Sequence, residues 1–596
     1  MVVDLEVEWH ELIHQTADHD ALYKMYRDYN FNRMAAEASK HISNVEVKET
    51  VDFKVHEIKA IDQFKLKLEH QSHLVVYLPN IIHFDLIDSL EIGLTIGEKH
   101  YSLSVSNFED FEEFKEVVRV FNTIESNVFI GHDLKKVIKA LGLTKSKCKL
   151  FDTMLAAYVL ESHHGRYDLK TLSGQYLGSQ IEFEQSSAGY LSGIVFLLFQ
   201  TLAERLQSNQ LENIFGNLEI PVMMILAKME LLGVRIDVEK LNHQSQWLAE
   251  HMRGIENDVF KEVGYSFNLG SPKQLQEVLY DTLKLPILQK TPKGQPSTSE
   301  SSLEQLSHQY PIVNQILQHR SLAKLKNTYT DKLPTMIDDR SKRIHGQYNQ
   351  AVTSTGRLSS SDPNLQNIPI RTQQGRKVRE AFVAKSGYTL ICADYSQIEL
   401  RIMAHFSKDP KLVDAFNHGE DIHDATAREV FGISNISEDH RRQAKAINFG
   451  LIYGMSSFGL ATQIGVSRQE AQSFIDNYFE RYPMVKSFMD KIRESAAEDG
   501  YVKTLMGRKL YFTGINDRNY NRRQAAQRAA INAPMQGSAA EIIKLAMLRL
   551  NQFNYDLILQ VHDELVFEVI EQEKERAMKI IADEMTKAYQ LSVPLE

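Results

Sequence analysis

Apolar and polar positions change their spacing along this chain and predict several domains. Between about residues 56 and 210, short apolar runs such as Leu74–Tyr77, Ile92–Ile96 and Tyr101–Val105 alternate with stretches of helical periodicity. This alternation predicts an α/β domain. Further along, a long helical region at 410–550 lies between two groups of strand-like segments.

Two of those later strand-like segments each place a carboxylate at a strand end or turn. The apolar run Leu390–Ala393 stops at Asp394, and the runs Leu557–Val561 and Leu565–Val569 flank a short polar segment that contains Asp563. The second pattern predicts a hairpin with Asp563 at its turn. A lone aspartate at such a place is more often a turn or cap residue, but a pair is typical of a site for divalent metals.

Between the two aspartates, Arg441, Lys445, Phe449 and Tyr453 recur at every fourth position. On a helix these residues share one broad face. Two cations, two aromatic rings and a metal-binding acid pair favour a reaction on a nucleoside triphosphate. The alternative is an amphipathic helix whose aromatic rings only fill a core.

Composition narrows the class of protein. The chain has 596 residues, 43% of them hydrophobic, and only two cysteines, Cys148 and Cys392. This favours a multidomain protein of the reducing cytoplasm without a disulfide framework. Neither a signal peptide nor an apolar run long enough to cross a membrane is predicted.

Charge is unevenly distributed. The net charge is −10, but residues 1–130 carry 24 acidic and 12 basic residues, a net of −12. Residues 320–380 hold 12 basic and 5 acidic residues, a net of +7. This basic window either binds phosphate or is a solvated face.

Five segments, in this order, resemble the successive motifs of bacterial DNA polymerase I, family A: Thr355–Ser360, Asp362–Pro369, Asp394–Arg401, Arg441–Gly454 and Val561–Glu564. The similarity runs from about Gly233 to the end. It implies an α/β and α+β multidomain fold, with a ribonuclease H-like, exonuclease-type domain at 56–210 and a right-hand polymerase domain at 211–596. Within the latter it implies a thumb at about 235–340, a palm at about 341–410 and 525–596, and fingers at about 411–524.

The resemblance implies roles for individual residues. Catalysis would depend on Asp394, Asp563, Glu564 and Lys445, with Asp394 and Asp563 binding two Mg²⁺ ions, for which Mn²⁺ can substitute. The nucleotide would be bound by Arg441, Lys445, Phe449, Tyr453, His423, Gln397 and Glu399, the last as a steric gate against a ribose 2′-hydroxyl. From the sequence alone, His423 is either a phosphate contact or only part of a helix start.

The resemblance also implies that the chain binds primer–template DNA. The palm would contribute Arg357, Arg528, Asn532, Gln536, Gln366, Asn367 and His562. The thumb, which has helical periodicity and a polar loop at 290–298, would contribute Lys290, Lys293, Arg320, Lys324 and Lys326.

The exonuclease-type region departs from the family pattern. An active domain of this kind needs four metal-binding acids, but Tyr77, Pro79 and Val137 occupy three of those positions, and the fourth falls near Leu191. We therefore predict no 3′–5′ proofreading. Asp4-Leu5-Glu6 has the required Asp-x-Glu spelling but lies far upstream of the other strands.

Residues 1–55 resemble the tail that links such polymerases to a 5′-nuclease domain, which is not expected in this chain. The leading prediction is thus a monomeric, cytoplasmic, nucleoid-associated DNA-templated DNA polymerase without either nuclease activity. It would use dNTPs to fill gaps in replication and repair, with or without strand displacement. The alternatives are a phage-type single-subunit RNA polymerase, which Glu399 argues against, and an inactive DNA-binding clamp, which the retained acids argue against.

Overall fold

The computed structural model describes residues 18–28, 34, 38, 53–79, 90–178, 186–370 and 372–596. Asp4-Leu5-Glu6 and most of the predicted tail lie outside the described residues. Backbone contacts divide the chain into two units. The first unit is formed by residues 1–157 and 166–210, and the second by residues 158–165 and 211–596.

The first unit is built on a mixed six-stranded sheet. Its strands are β1 (Val55–Ile58), β2 (His73–Tyr77), β3 (Leu90–Ile96), β4 (Lys99–Val105), β5 (Val128–Gly131) and β6 (Lys149–Asp152). Their order in the sheet is β1-β4-β3-β2-β5-β6, and β3 is antiparallel to both of its neighbours. The three strands predicted from apolar runs are therefore confirmed.

The described residues of this region also form α-helices. They are α1 (His19–Asp28), α2 (Ile61–Leu68), α3 (Phe108–Phe121), α4 (Leu134–Leu141), α5 (Thr153–Leu160), α6 (Leu169–Leu172) and α7 (Ala188–Ser208). Helix α7 packs across β2, β3 and β4. The crossing is close because Gly93 lacks a side chain, and a Cβ there would lie 1.9 Å from the carbonyl oxygen of Ala188.

The second unit contains the two predicted later strand groups. Strands β9 (Tyr388–Asp394), β12 (Asp556–Val561) and β13 (Glu564–Ile570) form an antiparallel sheet in the order β12-β13-β9. Two further antiparallel pairs are β7 (Gln347–Asn349) with β8 (Ser359–Ser361), and β10 (Tyr501–Lys503) with β11 (Lys509–Tyr511).

Helices fill most of the region at 410–550, as predicted, but the β10–β11 hairpin interrupts it. The α-helices of the second unit fall into two groups. Before β9 they are α8 (Glu212–Ile214), α9 (Ile220–Leu232), α10 (Val238–Val263), α11 (Pro272–Gln276), α12 (Glu300–Ser307), α13 (Pro311–Leu325) and α14 (Gln373–Arg379). After β9 they are α15 (Ile398–Ser407), α16 (Pro410–Asn417), α17 (Ile422–Phe431), α18 (Glu438–Ile452), α19 (Ser457–Ile464), α20 (Arg468–Arg481), α21 (Pro483–Asp499), α22 (Tyr520–Leu550) and α23 (Lys574–Thr586).

One large hydrophobic core positions the functional strands. It joins the inner faces of β9 and β13 to helices α9, α15, α18 and α22. Side chains such as Leu400, Ile447, Ile542 and Leu565 are completely buried in it. The strand that ends at Asp394 and the helix with the four-residue repeat are therefore anchored to one core.

Candidate active site

Three carboxylates meet at one edge of the three-stranded sheet. Asp394 ends β9 and lies directly opposite Glu564, the first residue of β13. Val561 pairs with Glu564, so His562 and Asp563 form a two-residue turn, with His562 at a φ of +55°. The backbone N–H of Tyr395 donates to the carbonyl of Asp563 over 3.2 Å and ties the turn to the end of β9.

The charges of these carboxylates are only partly compensated. Desolvation and the neighbouring Glu564 raise the pKa of Asp394. Burial, opposed by Arg357, raises the pKa of Asp563 to about 6. Arg379 binds Glu564 through Nη2 and Oε2 at 3.0 Å, whereas no ion pair within 4.0 Å to Asp394 or Asp563 is found in the described part of the chain.

This arrangement fits a divalent cation. Desolvation and the proximity of like charges disfavour the ionised form of both carboxylates. A cation bound between them would stabilise that ionised form. Within the residues that the structure describes, no group of three or more His, Cys, Asp or Glu side chains is placed to hold a metal. A cation at Asp394 and Asp563 would therefore take its remaining ligands from phosphate and water, as Mg²⁺ commonly does.

The predicted gate, Glu399, lies buried at the start of α15 with 5% of its surface exposed. Arg357 Nη2 donates to its Oε1 at 2.5 Å, and the hydroxyl of Tyr453 donates to its Oε2. Gln397 precedes α15 in a left-handed conformation, with a φ of +52°. Arg357, which the resemblance linked to DNA, thus binds the carboxylate of the gate in this structure.

The repeated face of α18 is present as predicted. Arg441 pairs with Asp421 at 2.6 Å and with Asp424 at 3.4 Å, on the exposed surface. Lys445 is exposed and has no ion-pair partner among the described residues. Phe449 lies half-buried, with its ring centre 6.3 Å from that of Tyr453, which caps the helix.

His423 is buried beneath this face. Its ring centre lies 5.9 Å from that of Phe449, and its Nδ1 is 3.0 Å from the side-chain nitrogen of Asn448. Burial lowers the pKa of His423 to about 4. The ring is therefore neutral at pH 7, and any contact it makes with phosphate is a hydrogen bond rather than an ion pair.

Three predicted DNA-binding residues, Arg528, Asn532 and Gln536, recur every fourth position on α22 and share a face. Arg528 is exposed, and its Cγ would lie 3.2 Å from a Cβ placed on Gly454. Asn532 Oδ1 is buried without a hydrogen-bond partner in the structure. This acceptor is free to bind a ligand's donor.

The remaining palm residues are divided between structure and surface. Gln366 is buried, and its Nε2 donates to Gln560 Oε1 over 2.8 Å. Asn367 is exposed but accepts a hydrogen bond from the hydroxyl of Tyr329 through its carbonyl. His562 is exposed at the turn.

The five thumb cations are not equivalent. Lys290, Lys293 and Lys324 are exposed, and no ion pair to them is found in the described ranges. Arg320 donates to the carbonyl of Thr298 over 2.6 Å, and Lys326 pairs with Asp331 at 2.7 Å. The first three are therefore free to meet phosphates, while the last two are engaged within the protein.

The positions at which the family pattern has exonuclease acids hold other side chains. Tyr77 ends β2, and Val137 and Leu191 are buried in α4 and α7. Asp152, at the end of β6, is completely buried and accepts backbone N–H groups of Leu134 and Met154, each at 2.8 Å. Burial raises its pKa to about 7.

Sequence reasoning missed Arg379 and Tyr158. Arg379 compensates Glu564, and the hydroxyl of Tyr158 donates to the carbonyl of Thr353 over 2.8 Å. The basic run Arg376-Lys377-Val378-Arg379 was a weak signal for the first residue. Tyr158 carries no local signal, because its partner lies 195 positions away.

The sequence profile of DNA polymerase family A matches residues 238–596, which is more than half of the chain. The chain belongs to DNA polymerase family A. Its relatives include DNA polymerase I of Pseudomonas aeruginosa, 41% identical over all of this chain and 71% of that protein. The thermostable DNA polymerase I of Thermus thermophilus is 44% identical over 75% of this chain and 54% of its own length, so the chain spans about half of that relative.

A solved family A structure has the same fold. It is the polymerase domain of Pol1 from M. smegmatis in complex with DNA primer-template and dNTP, with a TM-score of 0.82 and 33% identity over 91% of this chain and 98% of that one. The predicted multidomain polymerase fold and the enzyme class, a DNA-directed DNA polymerase, are therefore confirmed. No helix among the described residues is long and apolar enough to cross a membrane.

Proposed function

We propose that this family A enzyme adds deoxynucleoside triphosphates to the 3′-hydroxyl of a primer on a DNA template. The observation that carries the proposal is the convergence of Asp394 and Asp563 at one sheet edge, without cationic partners among the described residues. Two carboxylates without an ion pair, whose charges nearby arginines offset only in part, are costly to keep together unless a cation binds them during catalysis.

Asp394 and Asp563 would hold two Mg²⁺ ions, and Mn²⁺ offers a similar preference for oxygen ligands. When bound, the ions lower the pKa of the primer hydroxyl and neutralise charge on the departing pyrophosphate. Glu564, paired with Arg379, would adjust the negative potential beside them.

The face of α18 would bind the triphosphate. Lys445 is free to neutralise phosphate charge and to donate a proton to pyrophosphate, and Arg441 supplies a planar fork once it leaves Asp421. Phe449 and Tyr453 would pack against the sugar and base. Glu399, held by Arg357 and Tyr453, would occupy the volume that a 2′-hydroxyl needs.

The duplex would bind through exposed side chains of α22 and the thumb. Arg528 and Asn532 offer donors and a free acceptor to base edges, as minor-groove readers do. Lys290, Lys293 and Lys324 would contact phosphates, and this interaction would weaken as salt increases.

We also propose that the enzyme does not proofread. The side chains of Tyr77, Pro79 and Val137 provide no carboxylate, and Asp152 is occupied by backbone N–H groups. Without carboxylates at these positions, the described residues of the first unit lack a ligand set for the metals that a hydrolytic step on DNA needs.

Primer extension tests both parts of the proposal. With a 5′-labelled primer–template, Mg²⁺ and dNTPs, we expect Asp563→Asn to lower the extension rate at least about 1,000-fold, the scale of several kcal/mol of transition-state stabilisation. Asp556→Asn is the matched control, because Asp556 begins β12 at the opposite end from the turn and pairs with Lys228 and Lys385.

A mismatched 3′ end incubated without dNTPs should remain intact for the wild-type chain. Equal extension by Asp563→Asn and the control would overturn the catalytic assignment. Shortening of the primer that persists in Asp563→Asn would overturn the absence of proofreading.

A further inference from the structure

A short segment from within the nuclease-like region belongs to the polymerase unit. Residues 158–165 cluster with residues 211–596 rather than with residues 1–157 and 166–210, which flank them in sequence. Tyr158 and Ser162 are two of the buried residues of this segment, at 0% and 3% exposure. The Tyr158 hydroxyl donates to the carbonyl of Thr353 over 2.8 Å, and the Ser162 hydroxyl donates to the carbonyl of Ser354 over 2.9 Å.

These two carbonyls begin the loop Thr353–Arg357. Thr353 Oγ1 closes the loop by donating to the carbonyl of Arg357 over 2.7 Å. Gly356 has a φ of +90°, a conformation that favours glycine. The loop also lies against α22, since a Cβ on Gly537 would be 3.1 Å from the carbonyl oxygen of Thr355.

A buried ion cluster lies against the loop at Gly356. Arg508 is fully buried between Gly356, where a Cβ would lie 3.3 Å from its Nε, and the ring of Tyr158, 5.7 Å from its guanidinium carbon. Glu219 bonds Arg508 and also Lys544, the latter at 2.7 Å. Because buried charges are costly to separate, this cluster makes a rigid support.

At the end of the loop, Arg357 reaches the gate. Its guanidinium donates to Glu399, whose other oxygen accepts from Tyr453. A chain of direct contacts therefore runs from Tyr158 and Ser162, through the loop backbone, to Arg357 and Glu399. A shift of the loop would move the carboxylate of Glu399, the proposed gate that selects the sugar.

We propose that Tyr158 and Ser162 are positioning residues of the polymerase site, acting through Arg357 to fix Glu399 and so to favour deoxyribonucleotides over ribonucleotides. The sugar-selection part rests on the proposed function of Glu399. The positioning part stands on the contacts alone. The segment 158–165 would thus serve synthesis although it lies in the sequence of a region that resembles an exonuclease.

The test combines Tyr158→Phe, Ser162→Ala and Arg357→Ala, singly and in pairs, in the full chain. For each variant, kcat and KM are measured for one dNTP and the matching rNTP. We expect Tyr158→Phe to lower the dNTP-to-rNTP ratio of kcat/KM about tenfold, the scale of one lost hydrogen bond. In the Arg357→Ala background, Tyr158→Phe should change that ratio less than twofold, because its effect passes through Arg357.

Tyr280→Phe is the matched control. Tyr280 also donates from a buried hydroxyl to a backbone carbonyl, that of Ser297, at 2.6 Å, but it lies in a separate hydrophobic cluster. It should leave the ratio unchanged. Ser162→Ala, which removes only one oxygen, gives a second measurement if Tyr158→Phe does not fold.

Two results separate this inference from the proposed function. Full additivity of Tyr158→Phe and Arg357→Ala, or an unchanged ratio in both Tyr158→Phe and Ser162→Ala, overturns the positioning role. Glu399→Ala should admit ribonucleotides. If it does not, while the coupling to Arg357 is found in kcat/KM for dNTPs, the gate is refuted and the positioning role is upheld.

Discussion

Both units of this chain place an aspartate at the end of a strand, but in opposite surroundings. In the polymerase unit, Asp394 and Asp563 approach each other and Glu564 without a cationic partner among the described residues. In the first unit, Asp152 is completely buried and accepts hydrogen bonds from backbone N–H groups at the starts of α4 and α5.

The comparison distinguishes carboxylates with a role in catalysis from carboxylates that stabilise the fold. A buried carboxylate that accepts several backbone N–H groups has few lone pairs left for a metal, and its removal harms the fold. A partly buried carboxylate without such bonds destabilises the folded protein unless a bound ligand neutralises its charge. The same reasoning applies to cations, and Lys445 is unpartnered in the described chain while Arg441 is held by Asp421.

The largest expected effect is that of Lys445→Ala. If ionised side chains without an ion-pair partner take part in catalysis, this variant should lower kcat/KM for dNTPs by about 100- to 1,000-fold. Loss of one preorganised donor to a developing charge has an effect of this size. Single-nucleotide incorporation by rapid quench would measure it. The control is Arg442→Ala, since Arg442 is an exposed cation of the same helix that pairs with Asp439 at 3.0 Å.

A loss of less than about fivefold for Lys445→Ala would break the comparison. It would mean that an unpartnered cation on α18 is only a solvated side chain.

The second prediction concerns opposite pH dependences of stability. Asp152, with a folded-state pKa of about 7 against an ordinary 3.8, holds a proton between pH 4 and 7 that the unfolded chain has released. The first unit should therefore lose stability as pH rises through this window. His423, with a pKa of about 4 against 6.5, stays neutral while the unfolded chain is protonated, so the second unit should lose stability as pH falls from 6.5 to 4.

From 1.36 kcal/mol per pKa unit, the full effect should be about 4 kcal/mol for Asp152 and about 3 kcal/mol for His423. Urea unfolding between pH 4.5 and 7.5, followed by hydrogen exchange in peptides of β6 and α17, would separate the two units. Asp152→Asn should flatten the first dependence only, and His423→Gln the second only. Parallel slopes in the two units would contradict the assignment.

Short-range patterns predicted the parts of the site that depend on local structure. The apolar runs that end at Asp394 and flank Asp563 predicted a strand end and a hairpin turn, and the four-residue spacing from Arg441 to Tyr453 predicted one helix face, because both patterns follow from backbone geometry. The structure has these elements at the expected residues.

Partners distant in sequence could not be predicted. Arg357 was linked to DNA, yet in the structure its guanidinium meets Glu399, 42 positions later. The resemblance linked Arg320 and Lys326 to DNA. In the structure, tertiary packing places an acceptor within the protein next to each of these cations. Which charges remain free is decided by packing of the whole unit, and no periodicity of the sequence encodes it.

The smallest expected effect tests the partnered cation. Asp421 has two roles, since its Oδ1 caps α17 by accepting from the N–H of His423 and its Oδ2 binds Arg441 at 2.6 Å. Asp421→Asn keeps an oxygen for the cap but removes the charge that holds Arg441. Because an exposed ion pair contributes about 0.2–1 kcal/mol, releasing Arg441 should lower KM for dNTPs by up to about fivefold, with kcat little changed.

Asp424→Asn, which removes only the 3.4 Å contact, should have a smaller effect of the same sign. A higher KM in Asp421→Asn would show instead that Asp421 holds Arg441 in its binding position, so that a partnered charge also works in the site.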